Sequence, residues 1–285
     1  MRLFFRYISI FLISVLIIDS LATITLDKII SHSKIRYVRM LSEDYSMVIL
    51  GNSRGVNSVS EGIFERTHEE NIINLSHNGL SKDEIFYISQ HIRDSTIVFI
   101  ECTSFLWDTS KMELKPHRLN VFKNLRESEF RVLKTNVFNH EIFLRSLYYI
   151  FSSDEDWTNN GVMSKDKLEF ITSNLIPCSK QLNYRKEEFS ILFESLMARG
   201  ITPVFYISPV REEKVSEYTN WDEVLAQIES DFPNFLNLTD SVTDIESFAD
   251  LVHTNKREIK KVHSAIMDEF KRITIKPTNI SADGF

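Results

Sequence analysis

The chain has 285 residues, of which 43% are hydrophobic and 26% charged, with only 7 Gly and 6 Pro, so collagen-like, disordered and disulfide-scaffold proteins are excluded. Its formal charge of -7 provides no broad basic surface, which disfavours a role in nucleic-acid binding. Two cysteines, Cys102 and Cys178, are too few for a disulfide framework, and the sequence leaves open whether they form one bridge.

The N-terminal segment combines a basic start with a long apolar run. Between residues 3 and 26 only Arg6 and Asp19 are charged. As a helix this stretch would extend ~36 Å, which is enough to cross the ~30 Å hydrocarbon core of a bilayer. Arg2 and Arg6 favour a cytoplasmic N-terminus. We therefore expect a single transmembrane helix as a membrane anchor over residues 1–27, with the rest of the chain outside the cytoplasm.

Two alternatives stay open for this segment. Small residues within positions 20–22 are compatible with the cleavage site of a signal peptide. A buried amphipathic helix of a soluble protein is the second alternative. The polar residues 28–45 that follow predict a linker, which leads into a folded domain over residues 46–275 and a short tail at 276–285.

Beyond the linker, short apolar runs alternate with amphipathic segments. The apolar runs predict strands at residues 46–50, 96–100, 202–208 and 235–238. The amphipathic segments predict helices at residues 82–92, 186–199, 221–232 and 255–273. This alternation predicts an α/β fold, in which a parallel sheet is covered by helices on both faces. A break in the pattern predicts a helical insertion at about residues 104–180.

Three polar groups lie at the ends of these elements. Gly51-Asn52-Ser53-Arg54 follows the first strand, Asn74–Gly79 precedes the first helix, and Asp250 and His253 precede the last one. Open α/β sheets bind ligands outside the carboxyl ends of their strands. An Asp three residues before a His can orient the imidazole toward a serine. A glycine before a helix can present its N–H to an oxyanion.

On these residues the chain resembles the SGNH (GDSL-like) hydrolase superfamily. Within it, the chain is most similar to membrane-anchored SGNH-like proteins that acylate or deacylate cell-envelope polysaccharides. The resemblance covers about residues 46–272 and implies the three-layer α/β/α fold of that superfamily. It also implies that Ser53 is the nucleophile, His253 the base and Asp250 its orienting partner. The backbone N–H groups of Ser53 and Gly79 would form the oxyanion hole.

The third sequence block of the family is missing. Its Gly-x-Asn-Asp motif should follow the strand at 96–100, where this chain has Glu101-Cys102-Thr103-Ser104. No Asn is present there to complete the oxyanion hole, and one lost donor can lower the rate by ~10²–10³. Candidate substrate contacts around the site are Asn52, Arg54, Asn78 and Glu101. For Arg54 and Glu101, a salt bridge inside the protein is an open alternative.

The resemblance implies serine-dependent transfer of an O-acyl group to an extracytoplasmic polysaccharide, or hydrolysis of such esters. Acetyl is the acyl group that we expect. The protein would be a single-pass protein of the bacterial inner (cytoplasmic) membrane. Its partners would be a cell-envelope glycan and a membrane protein that delivers the acyl group, and no cofactor, metal or nucleic acid is expected. The alternative is a catalytically inactive SGNH-like scaffold that binds glycan or partner proteins, with Ser53 only capping a helix.

Overall fold

The computed structural model describes residues 6–11, 13–14, 44–68, 70–76, 80–107 and 161–275. Residues 6–11 and 13–14 are helical and belong to a unit separate from the one that contains the sheet. Among all the described residues, no helix is long and apolar enough to cross a membrane. Most of the predicted anchor, nearly all of the linker at 28–45 and the tail at 276–285 lie outside the described residues.

The larger unit is built on a five-stranded sheet in which every pairing is parallel. Its strands are β1 (Met47–Leu50), β2 (Ile72–Asn74), β3 (Ile97–Glu101), β4 (Thr202–Ile207) and β5 (Leu236–Asn237). They are ordered β2-β1-β3-β4-β5 across the sheet. The strands predicted at 46–50, 96–100, 202–208 and 235–238 are confirmed. β2 was not predicted as a strand, because it has only two apolar residues, too few to stand out in the sequence.

Helices surround this sheet, as the alternation of elements predicts. The described helices are α1 (Ser53–Ser58), α2 (Glu61–His68), α3 (Lys82–Ser89), α4 (Thr103–Leu106), α5 (Lys165–Thr172), α6 (Lys186–Met197), α7 (Glu212–Val215), α8 (Trp221–Asp231) and α9 (Ile259–Ile275), with a 3-10 turn at Ile245–Ser247. The capping box of Ser81 and Glu84 is present at the start of α3. α9 begins four residues later than the predicted position 255.

Two apolar layers cover the sheet, one on each face. On one face, Ile97 and Phe99 of β3 belong to the same buried hydrophobic cluster as Phe270 of α9. On the other face, Phe205 of β4 contacts the ring of Phe189 in α6 at a centroid distance of 5.0 Å. Since neighbouring residues of a strand point to opposite faces, fully apolar strands are what a sheet buried on both sides needs. The α/β class is confirmed, and α5 is a described part of the predicted insertion.

The order of the strands fixes where a ligand can bind. The chain runs outward in one direction from β1 to β2 and in the other from β1 through β3 to β5, so the switch point lies between β1 and β3. Gly51 and Glu101 lie side by side at this point, where a Cβ atom on Gly51 would lie 2.5 Å from the Cβ of Glu101. Glycine therefore allows β1 to end this close to β3.

Candidate active site

The first part of the site is the turn between β1 and α1. Asn52 caps α1, and its Oδ1 accepts the backbone N–H of Arg54 at 2.9 Å. Ser53 is the first residue of the helix, and the helix itself provides no acceptor for its N–H. The turn thus places the partly exposed hydroxyl of Ser53 and its N–H at the carboxyl edge of β1.

The second part is the loop between the 3-10 turn and α9. Asp250 Oδ1 accepts the backbone N–H groups of Val252 and His253, both at 2.9 Å. The N–H of Ala249 donates to the carbonyl of His253 at 2.8 Å, next to an antiparallel bridge between Phe248 and Thr254. These local bonds fold the loop back on itself.

The two parts meet in a Ser–His–Asp triad. His253 Nε2 lies 2.8 Å from Ser53 Oγ, and His253 Nδ1 lies 2.8 Å from Asp250 Oδ2. An ionised carboxylate only accepts hydrogen bonds, so the Nδ1 atom carries the proton and Nε2 is left to accept the Ser53 hydroxyl. The three side chains thus lie within hydrogen-bond distance in the order that their predicted roles require, and the roles themselves stay predictions.

The charge of Asp250 is stabilised in this arrangement. Burial alone would raise the pKa of its carboxyl group, but the hydrogen bonds from the His253 ring and from the N–H groups of Val252 and His253 outweigh it, so the pKa lies below its ordinary value. The side chain of Asp250 is nevertheless 41% exposed and that of His253 21% exposed. A charged Asp250 favours the imidazolium that forms when His253 takes a proton.

Hydrogen bonds that connect the two parts of the site were not predicted from the sequence. Thr254 Oγ1 donates to the carbonyl of Asn57 in α1 at 3.1 Å, and Asn57 Nδ2 donates to the carbonyl of Ser53 at 2.6 Å. These bonds connect the residue after His253 to the nucleophile through α1. Thr254 and Asn57 lie far apart in the sequence, so no sequence signal pairs them.

Arg54 and Glu101 were candidate substrate contacts, and the structure corrects this. Both side chains are fully buried, and Arg54 Nη1 lies 3.6 Å from Glu101 Oε1. Arg54 Nη2 donates to the carbonyl of Ser208, and its guanidinium lies 5.5 Å from the ring centre of Trp107. Burial lowers the pKa of Arg54, and the charge of Glu101 acts in the opposite direction. The salt bridge, the alternative that the sequence left open, is what the structure contains.

Asn52 is corrected in the same way. Its Oδ1 is used by the N–H of Arg54, and its Nδ2 donates to the hydroxyls of Thr103 at 2.9 Å and Ser104 at 3.0 Å. Both amide hydrogens are therefore committed inside the protein, and none is left for a substrate. Asn78 and Gly79 lie outside the described residues, so their predicted roles stay predictions.

Asn74, the first residue of the second polar group, is bonded to the end of α1 and to α2. Its Nδ2 donates to the carbonyl of Val59 at 2.7 Å, and its own N–H donates to Glu61 Oε1 at 2.7 Å. At the position of the missing third block, Thr103 and Ser104 are buried and use their hydroxyls in bonds to other protein groups. Within the described part of the chain, the N–H of Ser53 is thus the donor that we can assign to the oxyanion.

The two cysteines of the chain do not form a disulfide. Cys102 is buried and Cys178 is exposed, and both are free thiols. Burial raises the pKa of the Cys102 thiol well above its ordinary value, followed by a contribution from the charge of Glu101, so it stays protonated. The question that the sequence left open is answered, since the two residues do not form a bridge.

Comparisons with known proteins find no matching family model and no matching curated protein. Among solved structures, a proposed acylhydrolase from Bacteroides fragilis has 9% sequence identity and a TM-score of 0.42, with 81% of this chain and 89% of that chain covered. A proposed lipolytic protein of the G-D-S-L family from Desulfitobacterium hafniense has 7% identity and a TM-score of 0.39, with 79% and 99% covered. At this distance, the fold assignment rests on the strand order of the chain itself.

Proposed function

We propose that the chain is an SGNH-like serine acyltransferase or esterase that acts on O-acyl groups of a cell-envelope polysaccharide outside the cytoplasm. The observation that carries the proposal is the triad, in which 2.8 Å separates Ser53 Oγ from His253 Nε2 and 2.8 Å separates His253 Nδ1 from Asp250. Nucleophile, base and orienting carboxylate in this order are what acyl transfer through serine needs.

In the first half-reaction, Ser53 Oγ attacks the carbonyl carbon of an acyl donor while its proton passes to His253 Nε2. The new C–O bond turns the carbonyl oxygen into an oxyanion, which the N–H of Ser53 can stabilise. The oxyanion then collapses, the bond to the leaving group breaks, and the leaving oxygen takes the proton from His253. An acyl ester of Ser53 remains.

The second half-reaction decides between transfer and hydrolysis. His253 removes a proton from an incoming hydroxyl, which attacks the acyl-serine and releases Ser53 with its proton restored. A sugar hydroxyl gives transfer, and water gives hydrolysis. Asp250 keeps His253 in the same tautomer through both halves.

The setting of the reaction is supported by the sequence. The apolar run of residues 3–26, preceded by Arg2, is suited to an anchor that leaves the catalytic unit outside the cytoplasm. The resemblance to anchored SGNH-like proteins suggests acetyl as the acyl group and a glycan as acceptor. A second membrane protein that supplies the acyl group fits such a transferase, since activated acyl donors are made inside the cell.

Full-length protein in mild detergent, mixed with p-nitrophenyl acetate, tests this proposal. We expect a burst of p-nitrophenol and an acetyl group on Ser53, detected by mass spectrometry of its peptide. Ser53→Ala should show neither. An oligosaccharide with free hydroxyls should speed turnover and become acetylated if transfer is the natural outcome.

Absence of both burst and acetyl-serine in folded protein, with p-nitrophenyl acetate and with longer acyl esters, would contradict the enzymatic proposal. It would leave the scaffold as the better interpretation. Turnover at the same rate in Ser53→Ala would also contradict it, because the nucleophile would then lie elsewhere.

A further inference from the structure

The two chain neighbours of the nucleophile belong to a closed ring of polar contacts. The N–H of Arg54 donates to Asn52 Oδ1 at 2.9 Å, and Asn52 Nδ2 donates to Thr103 Oγ1 at 2.9 Å. Thr103 Oγ1 donates in turn to Glu101 Oε2 at 2.6 Å. The other carboxylate oxygen of Glu101 pairs with Arg54 Nη1 at 3.6 Å, which closes the ring.

The ring members are all buried, whereas Ser53 is partly exposed. Asn52 and Arg54 are the two neighbours of Ser53 in the chain, so the ring fixes the backbone on both sides of it. Glu101 and Thr103 come from the end of β3 and the start of α4. The ring therefore connects the nucleophile turn to the end of β3 and the start of α4.

The amide, hydroxyl and carboxylate groups of the ring are matched as hydrogen-bond donors and acceptors, and Arg54 joins them through an ion pair. The amide of Asn52 accepts through Oδ1 and donates through Nδ2, and the hydroxyl of Thr103 accepts from that amide and donates to a carboxylate. A carboxylate at 101 accepts this hydroxyl and also forms an ion pair with the guanidinium of Arg54, which a neutral side chain would not do. The ring thus needs a hydroxyl at position 103 that accepts from Asn52 and donates to Glu101.

We infer that Glu101 and Thr103 are positioning residues for Ser53, and that they orient the nucleophile from the strand end where the family's third block is missing. This inference rests on the proposed function. Neither residue touches the reacting atoms, so neither is catalytic. Their effect is on the position of Ser53 Oγ relative to His253, and small displacements of a reacting atom reduce rates strongly.

The experiment follows covalent labelling of full-length protein by a fluorophosphonate, with its rate resolved into an affinity (KI) and a maximal rate (kinact). Thr103→Val removes the hydroxyl at nearly constant volume and breaks the ring, whereas Thr103→Ser keeps the hydroxyl. We expect kinact to fall about tenfold in Thr103→Val with KI unchanged, and to return to near the wild-type value in Thr103→Ser. The midpoint of the pH profile should not move, because His253 is untouched.

A matched control is a Thr→Val substitution at the other end of β3. Thr96 is also buried and directly precedes β3, at the end of the strand remote from Ser53. Thr96→Val should therefore leave kinact unchanged. If Thr103→Val does not fold by circular dichroism, Thr103→Ala read against Thr103→Ser gives the same comparison.

The outcomes separate this inference from the proposed function. A wild-type protein that labels at Ser53, with an equal kinact in Thr103→Val, would overturn the inference and leave the proposed function intact. An equal loss in Thr103→Ser would also overturn it, because packing and not the hydroxyl would then be responsible. A folded wild-type protein that does not label at Ser53 would overturn the proposed function and the inference with it.

Discussion

The two halves of the triad are held in place by different physical means. Ser53 lies on a turn whose neighbours are buried and bonded to β3 and α4, with Arg54 and Glu101 fully buried as a pair. The side chains of Asp250 and His253 are partly exposed, and Asp250 Oδ1 accepts two N–H groups of its own loop.

The contrast shows how the fold divides its tasks. A buried polar network is costly to disturb, because any group that loses its partner stays away from water. A loop with local bonds can lose a side chain and let water replace it. We therefore expect changes around Ser53 to affect folding and activity together, and changes in the Asp250–His253 loop to affect activity alone.

His253→Ala should have the largest effect, and on activity only. Removal of the base should lower the rate of labelling or acylation at Ser53 by about 10⁶-fold. Because the His253 side chain is partly exposed, the free energy of unfolding should change by less than about 1 kcal/mol. Labelling rates and urea unfolding of the same preparation measure both quantities. A loss of several kcal/mol in stability would break the comparison.

Arg54→Met should show the opposite behaviour, with a large loss of stability. The substitution leaves the Glu101 carboxylate buried without its cation, which typically costs about 3–5 kcal/mol. Arg257→Met is the control, since Arg257 pairs with Glu246 at the surface and such pairs contribute about 0–1 kcal/mol. Urea denaturation measures both variants. Equal, small losses in the two variants would contradict a buried Glu101 carboxylate that depends on the charge of Arg54.

The hydrogen bond between His263 and Ser60, next to the end of α1, can be tested through the stability of the protein at acid pH. His263 Nε2 accepts the N–H of Ser60, which lies between α1 and α2, at 3.1 Å. Burial, and then the charge of His68, lower the pKa of His263 from 6.5 to about 3. As the pH falls below 6.5 the unfolded chain gains this proton before the folded protein does. The contribution of neutral His263 to stability is thus complete above pH 6.5 and is lost as the pH falls toward about 3.

The expected slope for this one proton is about 1.4 kcal/mol per pH unit. His263→Gln removes the titrating group and keeps an acceptor for the N–H of Ser60, so its stability should fall less steeply between pH 6 and about 4. Urea unfolding at several pH values measures the difference. Identical slopes in the two proteins would contradict a buried, neutral His263.

Much of this arrangement could be predicted from the sequence, and the remainder could not, for identifiable reasons. β1, β3 and β4 are apolar runs, so the sequence predicts their positions. The spacing of Asp250 and His253 predicts that the Asp can orient the imidazole. The partners of Arg54 were not visible, because Glu101 is far away in sequence and an Arg beside a serine is compatible with substrate binding. Asn52 was misassigned since its two hydroxyl partners become neighbours only when β1 and β3 pair.

The most direct test of the account is the site of labelling by a fluorophosphonate in the full-length protein. Wild type, Ser53→Ala and His253→Ala would be treated in parallel, and the adduct mapped by mass spectrometry. We predict an adduct on Ser53 in the wild type and none at that position in either variant. No adduct in folded wild-type protein, or an adduct on a different serine, would contradict the claim that Ser53 is an activated nucleophile.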